Sequence, residues 1–168
     1  MSLLEKLYLR KKNNLAHYDQ ELKVCNRNWY EYHKAELAKK EFDFILVDMN
    51  SLKFINDTYG HAMGDEILEV MTGIAKAIYH RPDDHIIRLG GDEFLILSPN
   101  YYETRLVKYL PMEHFSYGVV HHNSGDSLDA CFKEADEKMY EMKRLFHKTH
   151  PASTVLGRTD IPNMDKNK

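Results

Sequence analysis

The order of apolar runs, periodic stripes and turn signals in these 168 residues predicts an α+β domain with helices packed on a mostly antiparallel sheet. Three observations carry that expectation. Phe44-Ile45-Leu46-Val47 and Phe94-Leu95-Ile96-Leu97 are continuous apolar runs of buried-strand length. Gly90-Gly91-Asp92-Glu93 lies between two short apolar segments and reads as a tight hairpin, which forces antiparallel pairing. Ile67, Leu68, Met71, Ile74, Ala75 and Ile78 fall on one helical face, and so do Leu128, Cys131, Phe132, Ala135, Met139, Met142, Leu145 and Phe146.

Taken in order, residues 1–40 are charged and helix-leaning. Leu4, Leu7 and Tyr8 begin an apolar stripe that residues 11–14 interrupt, so no heptad coiled coil is supported. A helix is expected from about Asn26 to Lys40, then a buried strand over 42–47 that ends at Asp48. Residues 51–59 read as a short helix closed by the turn Tyr59-Gly60-His61, with Asp65 starting the next helix. Arg81-Pro82-Asp83-Asp84 is a loop, and strands follow over 86–89 and 94–98. A helix near 101–110, a strand over 115–120 and a long helix over 127–147 complete the pattern, and from Pro151 the chain is a polar, aperiodic tail.

Lys and Arg number 23 against 26 Asp and Glu, a net charge of −3, which argues against a nucleic-acid polymer as partner because that would call for a basic stripe. A single nucleotide held through a metal remains compatible. Apolar residues at 43% fit a globular protein, and the length is expected to give one compact domain rather than a multi-domain sensor. No apolar run approaches the ~20 residues of a membrane span, and no basic segment precedes an apolar one at the N-terminus. Cys25 and Cys131 make neither a disulfide framework nor a zinc spacing, so they read as reduced thiols of a cytoplasmic protein.

Two acidic positions stand at the ends of predicted strands, Asp48 and the Asp92-Glu93 pair. If those strands are neighbours, Asp48 and Asp92 converge at one end of the sheet. Carboxylates held together repel unless a cation lies between them. Hard oxygen ligands of this kind suit Mg²⁺, which takes one or two carboxylates plus substrate phosphates. Gly90-Gly91 lets the backbone come close to another group, for which a phosphate is a natural candidate. Taken singly, each of these residues is equally at home in an ordinary turn.

The joint pattern is more specific. Arg88-Leu89-Gly90-Gly91-Asp92-Glu93-Phe94 contains the signature of the GGDEF family of diguanylate cyclases, and the stretch from Asp48 through Asn56-Asp57, Gly60-His61 and Gly64-Asp65 resembles that family's other long motif. The resemblance covers residues 19–148, flanked by a helical extension over 1–18 and a tail over 149–168. It implies a five-stranded, nucleotidyl-cyclase palm-like sheet with flanking helices. It also implies a nucleotidyltransferase of bacterial signalling that condenses two GTP into cyclic di-GMP and two pyrophosphates across a transient or regulated homodimer.

By motif position, Asp48 and Asp92 with the Met49 carbonyl are the implied ligands of two Mg²⁺ ions, Mn²⁺ being the alternative metal. Glu93 is implied beside the attacking ribose, Asn56 and Asp65 on guanine, and Lys53, Lys143, Gly90 and Gly91 around the phosphates. Arg81 and Asp84, helped by Arg88, match the family's product-inhibition element, where cyclic di-GMP binds as an inhibitor. Two departures are visible. Asp19, Asn26 and Arg27 keep the ends of the family's opening Asp-x-Leu-Thr-Gly-Leu-x-Asn-Arg segment, but its Leu-Thr-Gly is lost. His147 stands where relatives carry an arginine one turn after the phosphate lysine, and imidazole is a poorer phosphate clamp than guanidinium. The rival readings are a non-catalytic receptor for cyclic di-GMP or GTP, and a nucleotide-binding regulatory domain without product. Retention of Asp48, Asp92 and Glu93 together favours the enzyme.

Overall fold

Strand β2 (Phe42–Met49) is buried along its whole length, because both faces of the sheet are covered where it runs. It is one of five strands in a computed structural model that describes residues 4–5, 16–99 and 114–150. The chain proceeds through β1 (Cys25–Asn26), α1 (Arg27–Leu37), β2, α2 (Leu52–Tyr59), α3 (His61–Ile78), β3 (His85–Gly90), β4 (Glu93–Ser98), β5 (Phe115–His122) and α4 (Leu128–Thr149). The sheet order is β1-β3-β4-β2-β5, antiparallel throughout except for the parallel pair of β1 with β3. The α+β expectation therefore holds. The helix expected near 101–110, most of the 1–18 extension and the tail from Pro151 lie outside the described residues.

Alternation along the strands sorts the core into two layers. Ile45, Val47 and Met49 of β2, with Phe94 and Ile96 of β4, pack under Leu68, Met71, Ala75 and Ile78 of α3. Phe44 and Leu46, with Leu95 and Leu97, pack against Trp29, Tyr30 and Leu37 of α1 and against Leu128, Cys131, Ala135 and Met139 of α4. Each such side chain contributes roughly 1.5–3 kcal/mol when fully buried. Because Asp48 shares the parity of Phe44 and Leu46, it faces the α1/α4 layer.

The helix starts obey capping chemistry with one correction. The Asn26 side chain accepts from the Trp29 N–H, and the Ser127 hydroxyl accepts from the Ala130 N–H. Asp65, expected to open a helix, instead lies one turn inside α3, which begins at His61. Gly60, with φ 88°, both ends α2 and precedes α3, so no linker separates them. Strand β5 runs two residues beyond the expected Val120, because its ladder continues to Phe42 and His122 stacks on the Phe42 ring at 4.7 Å. On α4 the expected apolar face is correct except at Leu145, which is exposed, whereas Phe146 is buried.

Helix α4 approaches β5 very closely at Gly118, where an added Cβ would stand 1.9 Å from the Ala135 carbonyl oxygen. The two-residue β1 carries no periodic signal, and a turn before it sets its place. The Asp19 carboxylate accepts from the N–H groups of Glu21 and Leu22, the Lys23 N–H donates to the Asp19 carbonyl, and Leu22 and Val24 are buried. Thus the segment that lost Leu-Thr-Gly still forms a closed turn. Lys23 occupies it at φ 53°, in the left-handed region where glycine is favoured.

Candidate active site

Asp48, the seventh residue of β2, lies directly across the ladder from Glu93, the first residue of β4. The Met49 N–H donates to the Asp92 carbonyl at 3.3 Å. The hairpin is tight because Gly91 adopts φ 51°, and the Arg88 guanidinium braces it by donating to the Gly91 carbonyl at 3.0 Å. These contacts bring Asp48 and Asp92-Glu93 together at one end of the sheet, as the strand pattern required.

The charges there are crowded. The Asp48 carboxylate is only slightly exposed, and burial pushes its pKa up. The Lys143 ammonium, donating to Asp48 Oδ1 at 2.5 Å from α4, pulls it back, while the negative charges of Asp92 and Glu93 push it up again. The net shift is upward. An anionic site held together by one ammonium gains from a further cation. No group of three His, Cys, Asp or Glu side chains among the described residues is arranged to hold a metal. The oxygens that Asp48, Asp92 and Glu93 present there are hard donors, of the kind that suits a divalent cation completed by phosphate oxygens.

Beside this cluster opens a cleft of about 370 Å³ lined by Met49, Lys53, Asp92, Lys143 and His147. Phe54 and Asp57 of α2 line it too, a role their sequence positions did not single out. Lys143 and His147 share one face of α4 at i and i+4, which places both on the cleft. The first turn of α2 also borders it. Ser51, at φ 69°, makes no side-chain cap there, and an uncapped helix start favours negative charge.

Asn56 and Asp65 are positioned by the packing of α2 on α3 rather than by this cleft. Asn56 Oδ1 is buried without a hydrogen-bond partner against Gly64. Asp65 borders a separate recess of about 190 Å³ with Glu21, Glu69 and Arg88. The Arg81 loop lies at the opposite end of β3 from the hairpin. There Asp84 accepts from the Arg81 N–H at 3.0 Å and from the Ser98 hydroxyl at 2.7 Å. Arg88 is not brought to that loop, since it pairs with Asp19 at 2.9 Å. Asn50 escaped sequence reasoning. Buried two residues beyond Asp48, it accepts from the Ser116 hydroxyl at 2.8 Å.

A family model for the diguanylate cyclase GGDEF domain matches residues 16–113. The chain belongs to the GGDEF family. Among curated relatives of this GGDEF domain, diguanylate cyclase DgcM of Escherichia coli K12 is 31% identical over 150 residues, which cover 76% of the chain and 36% of DgcM. The probable diguanylate cyclase DgcJ of the same organism is 36% identical over 114 residues, covering 60% of the chain and 23% of DgcJ. The GGDEF chain thus spans well under two thirds of the length of these relatives. Among solved structures, a microbial GGDEF domain described for its interaction with cyclic di-GMP superposes with a TM-score of 0.69 at 29% identity, covering 77% of this chain and 94% of that one. The diguanylate cyclase SiaD of Pseudomonas aeruginosa, at 22% identity and a TM-score of 0.70, shares the fold over 85% of this chain and 64% of its own. No helix among the described residues is long and apolar enough to cross a membrane.

Proposed function

We propose that this domain is a cytoplasmic diguanylate cyclase that joins two GTP into cyclic di-GMP and releases two pyrophosphates where two copies meet. The observation that carries the reading is the convergence of Asp48, Asp92 and Glu93 at one sheet end, beside a cleft that also presents Lys53 and Lys143. In this reading Asp48, Asp92 and the Met49 carbonyl hold two Mg²⁺ ions, or Mn²⁺. Bound metal supplies neutralisation of the triphosphate and a lowered pKa for the attacking hydroxyl.

The chain's own residues do the rest. Lys53, Lys143 and the first-turn N–H groups of α2 bind the β- and γ-phosphates, and Gly90-Gly91 lets them approach the hairpin backbone. Lys143 bonds Asp48 in the described structure, so it stands at the junction of metal and phosphate charge. Asn56 and Asp65 read guanine, the carboxylate accepting from N1–H and the 2-amino group, a pair that adenine lacks. Glu93, beside Asp48, receives the proton of the ribose 3′-hydroxyl as its oxygen bonds to the α-phosphorus and the bond to pyrophosphate breaks. Each copy holds one GTP, so the reaction needs two. Arg81 and Asp84 bind product as an inhibitor. For that, Asp84 must release either its bond to the Arg81 N–H or its bond to Ser98.

Incubation with GTP and Mg²⁺ followed by mass detection of cyclic di-GMP tests the reading, and specific activity should rise with protein concentration. Absence of product at high micromolar protein, with cyclic di-GMP still bound in calorimetry, would leave the receptor reading instead.

A further inference from the structure

Gly64 lies inside α3, where glycine is about 1 kcal/mol less favourable than alanine. Its φ is not positive, so the helix does not need glycine there for backbone reasons. Space is the reason. A Cβ at this position would stand 2.0 Å from Asn56 Oδ1, 3.0 Å from Asn56 Cγ and 3.1 Å from Leu52 Cδ1. The Asn56 amide therefore rests directly on the backbone of α3. Its Oδ1 is buried there with no hydrogen-bond partner, an arrangement that costs free energy and calls for a functional explanation.

The residue after Gly64 is Asp65, which is exposed at the recess beside α3. Seating Asn56 on Gly64 therefore fixes the side chain on α2 relative to the carboxylate on α3. We infer that Gly64 is a specificity-determining positioning residue. It gives Asn56 a seat from which the amide and the Asp65 carboxylate together meet one guanine edge. The inference rests on the guanine roles of Asn56 and Asp65 proposed above. With Oδ1 turned onto α3, the amide offers its Nδ2 donor to an acceptor on the base, complementing the two donors that Asp65 receives. An added methyl group lifts the amide off this seat and breaks that match, without touching Asp48 or Asp92.

Three variants of the full chain test it: Gly64→Ala, Asn56→Ala and the double variant. Binding of a non-hydrolysable GTP analogue and of its adenine counterpart is measured for each, together with kcat and KM for GTP. Gly64→Ala should weaken the guanine analogue about tenfold or more and the adenine analogue less than about twofold. Its kcat at saturating GTP should change by less than about threefold, since a purely ground-state loss appears in KM. In the Asn56→Ala background Gly64→Ala should add nothing to the loss of selectivity, because the clashing amide is gone. A Gly64→Ala protein with unchanged guanine preference, beside an Asn56→Ala protein that has lost it, overturns the inference and leaves the guanine reading standing. An Asn56→Ala protein with unchanged preference overturns both. If Gly64→Ala does not fold, the double variant decides. Folding with the selectivity of Asn56→Ala supports the seat. Failure to fold, or a further loss of selectivity, overturns it.

Discussion

Strand β2 carries two buried aspartates at opposite ends and on opposite faces, Asp43 and Asp48, and their surroundings differ in kind. Asp43 lies across the ladder from His121 and accepts from its ring at 3.0 Å, with Glu41 on the other ring nitrogen at 3.3 Å. Nearby, Asp84 is satisfied by Ser98 and by the Arg81 backbone. Carboxylates at that end have partners of complementary charge or hydrogen bonding. Asp48 has one cation, Lys143, and two further carboxylates beside it. Equal burial thus conceals opposite purposes. At one end of the sheet the carboxylates are matched by hydrogen-bond donors, while at the other negative charge stays concentrated around a single ammonium.

The largest effect is expected at the hairpin. Asp92→Ala should reduce product formation by about a thousandfold or more while shifting the thermal midpoint by no more than about 2 °C, because the side chain of this half-buried turn residue is not part of the packed core. Product at the wild-type rate would remove Asp92 from the chemistry. At the other end, Arg81→Ala should raise the concentration of cyclic di-GMP needed for half inhibition by about tenfold or more, consistent with loss of charge-assisted contacts, and leave initial turnover unchanged. Inhibition that is equally strong in both proteins would place product elsewhere. A smaller effect is expected from His147→Arg, which should lower KM for GTP about 3- to 30-fold through a charge-assisted contact to phosphate, with kcat changing less. An unchanged KM would mean that His147 lines the cleft without meeting the nucleotide.

Smaller effects are expected on stability. The Asp43 carboxylate, helped by Glu41 and opposed by burial, raises the His121 pKa. A group whose folded pKa is raised stabilises fully below its unfolded value, near ~6.5, and loses that contribution as pH rises through the folded value. Denaturation midpoints should therefore decline from pH 6 toward pH 8 more steeply in wild type than in His121→Gln. Parallel profiles would show that the pairing carries no proton linkage. The smallest effect concerns Lys23. Its left-handed backbone costs roughly 1–2 kcal/mol, and glycine gives back roughly 0.5–1 kcal/mol as lost chain entropy. Lys23→Gly should stabilise by about 0.5 kcal/mol, and a loss of stability in urea would contradict the strain.

What the sequence revealed follows from the range of the interactions. The apolar runs of β2 and β4, the stripe of α3 and the double-glycine turn are local signals, and each appeared where the pattern put it. The Asp48–Asp92 convergence needed only that two recognised strands be neighbours. By contrast, β1 is two residues long and forms by pairing with Ile87 and Arg88 of β3, next to an Asp19–Arg88 contact that spans 69 positions. Lys143 meets Asp48 across 95 positions, and no periodicity reports such a contact. Asp65 looks like a cap and so points to a late start for α3, whereas Gly60 makes the break and the helix begins at His61. Gly118 sits in a strand pattern with nothing to announce that a helix backbone presses on it.

That contact has a mechanical consequence. Helix α4 has 22 residues, a rod about 33 Å long at a rise of 1.5 Å per residue. It bears on the sheet at Ala135 over Gly118, and Lys143 lies about 12 Å farther along the rod. Gly118 is thus a fulcrum. A side chain of any size there tips or lifts the helix, and the displacement is carried outward to the ammonium that balances Asp48. Charge balance at the hairpin end is therefore set in part by the absence of a methyl group on a neighbouring strand.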